Sequence, residues 1–79
     1  MQWWYKLLFE DESKYVYGYS RESKECDGRI VYSKKDGIAI MEKPSKKDEA
    51  YETSAEASLE HFYYVVEEGF PKERHVCCG

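Results

Sequence analysis

The residue types best suited to metal or redox chemistry gather at the end of the chain, where His75, Cys77 and Cys78 place one imidazole and two thiols within four positions. With Cys26, from a polar stretch far upstream, they make four groups able to ligate zinc or to act as thiols. Tetrahedral zinc sites usually draw on ligand pairs two to four residues apart, so that both side chains reach one ion without strain, and His75-x-Cys77-Cys78 lacks that spacing. No Cys-x-x-Cys redox pair occurs either. A terminal Val-Cys-Cys also serves to tuck apolar bulk against a neighbouring element, because cysteine is among the most frequently buried residues. The residues therefore favour packing over a thiol- or zinc-dependent role, and no cofactor is expected.

His61 is the only other imidazole, and it has no oriented partner in its own stretch, since its neighbour Glu60 points elsewhere on a helix. Nucleotide-binding glycine loops, the nucleophile elbow and the His-Glu-x-x-His zinc motif are all absent from the sequence. A non-catalytic role is the expectation.

Two further patterns bear on binding. Glu49, Glu52, Glu56, Glu60 and Glu67 recur at helical spacing and form an acidic line suited either to solvent or to a basic partner. Tyr15, Tyr17 and Tyr19 alternate along one stretch, with Tyr32 on another. Together with Trp4 and Leu8 they are the residues expected to contact a partner if they stand on an uncovered sheet face, where tyrosine and tryptophan combine large area with a polar handle. The same rings are equally suited to filling a core short of aliphatic side chains. Basic residues in the same half would permit stacking of single-stranded bases. The acidic total of −4 and the absence of an RNP-like aromatic motif argue against that use. A protein partner, or a second copy of the chain, is the expected ligand.

The elements that must position these residues can be read from apolar periodicity. Residues 3–10 alternate with Trp3, Tyr5, Leu7 and Phe9 on one side, residues 15–20 form a second strand in which Gly18 marks a bulge, and residues 29–33 and 38–42 form two more. Asp27-Gly28 closes the longest loop, and Lys34-Lys35-Asp36-Gly37 marks a hairpin. The spacing of Ala55, Leu59, Phe62 and Val66 then predicts one amphipathic helix over about residues 54–68. Thr53 and Glu56 suggest a capping box at its start, and Gly69 followed by Phe70-Pro71 suggests its stop.

The expected fold is α+β, a four-stranded antiparallel meander followed by one helix packed on one face (ββββα), with the tail frayed or added as a short edge strand. Residues 1–79 are read as one small domain, with a core of Trp3, Tyr5, Leu7, Phe9, Ile30, Ile38, Ile40, Leu59, Phe62 and Val66. Charge divides along the chain: residues 1–47 hold ten Lys and Arg against eight Asp and Glu, giving +2, and residues 48–79 hold two against eight, giving −6. No apolar run approaches the ~20 residues that span a bilayer, and the opening residues lack a signal-peptide pattern. With an odd number of cysteines, this points to a cytoplasmic protein without membrane association.

Overall fold

The computed structural model describes residues 1–50 and 52–77. Strands β1 (Gln2–Glu10), β2 (Lys14–Arg21), β3 (Gly28–Ser33) and β4 (Ile38–Lys43) form the expected antiparallel meander. Helices α1 (Glu52–His61) and α2 (Tyr63–Glu67) follow, and β5 (Glu73–Cys77) returns antiparallel to β1. The sheet order is β4-β3-β2-β1-β5, so the tail is an edge strand and β1 becomes an interior one. No helix among the described residues is long and apolar enough to cross a membrane.

Local chemistry fixes the turns. Between β1 and β2 the Asp11 carboxylate accepts from the Ser13 amide, the Ser13 hydroxyl and the Lys14 amide, which holds its carboxyl below the usual carboxylate range. In the β3–β4 hairpin Gly37 takes φ +67° and donates to the Ser33 carbonyl. The helical stop forms as the sequence predicts: Gly69 sits at φ +81°, its amide bonds the Val66 carbonyl, and the Phe70 amide bonds that of Val65. Phe70 folds back to stack on Tyr15 with ring centroids 3.8 Å apart.

The helical region is the expected run packed after the sheet, with a shifted start and one irregular turn inside it. It begins at Glu52, which places Thr53 inside the first turn rather than at a cap, and it breaks at Phe62. The break has a visible cause. The buried Tyr5 hydroxyl donates to the Ser58 carbonyl at 2.6 Å, and the Phe62 amide, the usual partner of that carbonyl, is shared between Ser58 and Leu59 at 3.2 Å each. The turn tightens beyond this point, with the Val65 amide bonding the Phe62 carbonyl. The inward line becomes Ser58, Phe62 and Val65, while Leu59 and Val66 are only half-buried.

The core is correspondingly more aromatic than expected. Trp3, Tyr5, Tyr17, Tyr19, Ile30, Ala39, Phe62, Val65 and Val76 are its buried apolar residues. Phe62 lies in the middle, with ring centroids 5.1 Å from Tyr17, 5.7 Å from Tyr5 and 6.5 Å from Tyr32. Phe9, Ile38 and Ile40, expected in the core, are instead exposed. Two features account for this. A bulge between Leu7 and Phe9 moves Phe9 to the opposite face, and the β3–β4 register sets the small Ala39 opposite Tyr32, so that Ile38 and Ile40 turn outward. Gly18, expected to mark a bulge, is regularly paired on both sides. Its hydrogen side chain admits the Cys26 carbonyl, which would come within 2.9 Å of a β-carbon there.

One buried polar network ties the two layers together. Asp48, whose side chain is fully buried, accepts from Tyr19 Oη at 2.7 Å, Ser58 Oγ at 2.7 Å and Arg21 Nε at 2.8 Å. Tyr19 Oη in turn accepts from the Ser45 amide, and Ser58 Oγ from Trp3 Nε1 at 2.8 Å. Each donor aimed at Asp48 thus meets an acceptor, the condition under which a buried charge stabilises one arrangement, while the buried Ser45 hydroxyl beside the cluster has no partner among the described residues.

Burial raises the hydroxyl pKa of Tyr5 and Tyr17 above the ordinary tyrosine value, and that of Tyr19 is pushed up to about 12. The unfolded chain ionises these groups near 10. The stabilisation is therefore complete below that pH and is lost as pH rises through the folded-state values. A urea midpoint that holds up to about pH 10 and then falls steadily is expected; a flat profile to pH 12 would count against buried, neutral tyrosines.

Candidate interaction surface

The sheet has one face covered by α1 and α2 and one open face. The four tyrosines expected on the open face lie on the covered one. Tyr17 and Tyr19 are fully buried, and Tyr15 and Tyr32 are half-buried against Phe70. This corrects their expected place at a partner interface, since their pairing with Tyr5, Leu7 and Ile30 turns them to the helix. It also leaves bases without the tyrosine platform on which they were expected to stack.

What the open face does present is mainly aliphatic, with the Phe9 ring at one end. Phe9 pairs with Val16, Val16 with Val31, and Val31 with Ile40, so four apolar side chains form a continuous row across four strands. The row spans three strand spacings, about 14 Å. Ile38 and Leu8 extend it at either end, and relative exposures of 59% for Ile40, 53% for Ile38, 50% for Phe9 and 44% for Leu8 mark it as a contiguous patch rather than scattered residues. Leu8 retains its predicted place here. A shallow groove of about 510 Å³ runs off its β1 end between Leu8, Phe9 and Lys72. It lies where β5 has stopped pairing, so β1 is an edge there.

Parallel to the apolar row, two residues away on β2 and β3 and three on β1 and β4, where the register shifts, runs a basic one. Lys6 pairs with Gly18, Gly18 with Arg29, and Arg29 with Lys43, while Glu73 stands opposite Lys6 at the β5 end. Among the described residues none of Lys6, Arg29 and Lys43 forms an ion pair. Arg29 Nη1 is held instead by the carbonyls of Cys26 at 3.0 Å and Gly28 at 2.8 Å, which keep it over Gly18. The acidic line has the opposite location. Glu49, Glu56, Glu60 and Glu67 are exposed on the helical side, beside the part-exposed Tyr63 and Tyr64. The basic row and the acidic line thus stand on opposite faces.

The thiol and imidazole groups occupy the far end of the open face. His75 pairs with Trp4 and stacks on it at 4.3 Å, its Nε2 lies 2.8 Å from Gln2 Oε1 and 3.4 Å from Cys77 Sγ, and Cys26 Sγ points to the Trp4 carbonyl at 3.8 Å. Trp4 is therefore half-covered by the edge strand. Burial pushes the Cys26 thiol up, away from the reactive thiolate. Among the described residues no three His, Cys, Asp or Glu side chains converge as a metal site, and Cys78 lies outside them. His61 is held structurally, stacked on Trp3 at 3.9 Å with Nδ1 against the Ala57 carbonyl.

Sequence reasoning set Trp4 and Leu8 on the open face, where they stand, but counted the four tyrosines with them and missed Phe9, Ile38 and Ile40. The signal that could have found the right ones is the run Ile38-Ala39-Ile40: beside a covered face already filled by tyrosine rings, the small residue fits inward. Compared with family models, curated proteins and solved structures, the chain matches none of them, so its reading rests on this surface.

Proposed function

We propose that this chain is a non-catalytic binding module whose open sheet face receives a protein partner. The observation that carries the reading is the row Phe9-Val16-Val31-Ile40, exposed at its two ends and half-buried at the two valines, extended by the exposed Ile38 and Leu8. Apolar surface of this continuity costs free energy in water and returns it when covered, at about 25 cal/mol per Å². Support for a binding rather than a catalytic role comes from the same face. Its only nucleophile near a histidine is the exposed Cys77, with no oriented acid or oxyanion donor beside it among the described residues. Free thiols at Cys26 and Cys77 suit the cytoplasm.

A photo-crosslinking residue placed at Ile40 tests this reading in cells. Protein adducts are expected from position 40, suppressed when Phe9→Asp is added, and absent from the same probe at Glu56 on the helical side. Because Ile40 and Phe9 are half-exposed, neither change disturbs the core, and circular dichroism should be unchanged. No adduct at position 40, or one indifferent to Phe9, would remove the reading.

A further inference from the structure

We infer that the open face is built for an acidic amphipathic helix contributed by a different protein. The inference rests on the open-face reading above and adds the chemistry of the partner.

The two parallel rows set that chemistry. A helix lying along the Phe9-Val16-Val31-Ile40 row would cover it with about ten residues, at 1.5 Å each, and would present apolar groups at i, i+3, i+4 and i+7. One flank of that helix then runs over Lys6, Arg29 and Lys43, three cations without ion-pair partners among the described residues. Carboxylates on that flank give electrostatic complementarity, which fixes orientation and speeds encounter. Arg29 is already held in place by two carbonyls, so its guanidinium is oriented before binding.

The alternatives fit less well. Two copies packed sheet to sheet would bring two rows of Lys6, Arg29 and Lys43 into one interface, with Glu73 the sole carboxylate in each row. A second copy approaching by its own acidic helix has its main apolar line, Phe62 and Val65, buried inside, leaving chiefly Tyr63 and Tyr64 for a six-residue patch. Such a head-to-tail contact would also build rings or filaments rather than a closed pair. Single-stranded nucleic acid would find the cations but mainly aliphatic side chains where stacking rings are needed.

Random peptides displayed on phage, selected on the folded chain and counter-selected on its Ile40→Asp variant, test the inference directly. The expected set repeats Leu, Ile or Phe at helical spacing with Asp and Glu in excess. Its binding should weaken with salt and fall about tenfold or more on the Lys6→Gln/Lys43→Gln variant, two exposed changes that spare the core. Peptides that need Ile40 but carry neutral or basic flanks would overturn the acidic partner and leave the open-face reading standing. Enrichment indifferent to Ile40, or no enrichment, would overturn both. Sedimentation and single-stranded DNA retention complete the test: a dimer abolished by Ile40→Asp, or retention lost with Lys6 and Lys43, would assign the face to another occupant and overturn the inference.

Discussion

Replacing Asp48 by Ala is expected to cost about 3–5 kcal/mol, the usual penalty for removing one partner of a buried ion pair. The carboxylate has no exposed side-chain surface, and three donors, on Tyr19, Ser58 and Arg21, converge on it. Without it the Arg21 guanidinium keeps only its bond to the Lys47 carbonyl, and the two hydroxyls lose their acceptor inside the fold. A domain of this size is stable by only about 4–12 kcal/mol, so the loss is a large share of the total. Urea unfolding followed by tryptophan fluorescence measures it, with the Trp3 indole, bonded to Ser58, as reporter. Asp48→Asn, which retains one oxygen acceptor, should fall between Asp48→Ala and the natural chain. A cost below about 1 kcal/mol for Asp48→Ala would mean that the network adds little to stability.

Phe62→Ala is expected to cost a comparable ~3–5 kcal/mol, because it empties the centre of an aromatic cluster that the surrounding rings cannot refill. Tyr5 and Tyr17 meet Phe62 edge-on, and both hydroxyls are anchored beyond it, Tyr5 to the Ser58 carbonyl and Tyr17 to the Pro71 carbonyl at 2.6 Å. Rings tethered at both ends cannot collapse into the cavity. Near-ultraviolet circular dichroism should lose intensity along with the urea midpoint. Val66→Ala, at a half-buried position one residue beyond the true inward line, should cost much less. Equal losses at the two positions would contradict the break at Phe62.

How far the sequence revealed this architecture depended on where the decisive interactions lie. The meander, the Asp36-Gly37 hairpin and the Gly69 stop were legible because each is set by neighbours in sequence, through alternation or a glycine with positive φ. The inward line of the helix was read as Leu59 and Val66 rather than Ser58 and Val65. The shift arises from a hydroxyl on a strand more than fifty residues away, since Tyr5 competes for the Ser58 carbonyl. Phe9 was misplaced for a similar reason, because a bulge at Leu8 leaves no local mark. That one sheet face stays open follows from a single helical layer over one sheet, but the surplus of aromatic surface pointed to the wrong side chains for it, because volume decided which face they filled. Tyrosine rings took the covered face, and the isoleucines of β4 were displaced outward. By sequence Asp48 is one more charge in a polar connector, since only the folded state brings its three donors together.

The edge strand carries a further consequence, one for the order in which the chain folds. The first four strands pair with near neighbours through short connections, whereas β5 must find β1 across nearly the whole sequence, with Gln2 opposite Cys77. Closing so long a loop is entropically the most expensive pairing in the sheet, and non-local contacts of this kind slow folding. The β1–β4 hairpins and the helix can assemble while Trp3 still lacks Val76 beside it, so β5 is the natural last arrival. Until it docks, the outer edge of β1 offers unpaired amides and carbonyls to any passing strand, and the interval before docking is when the protein is most exposed to mispairing.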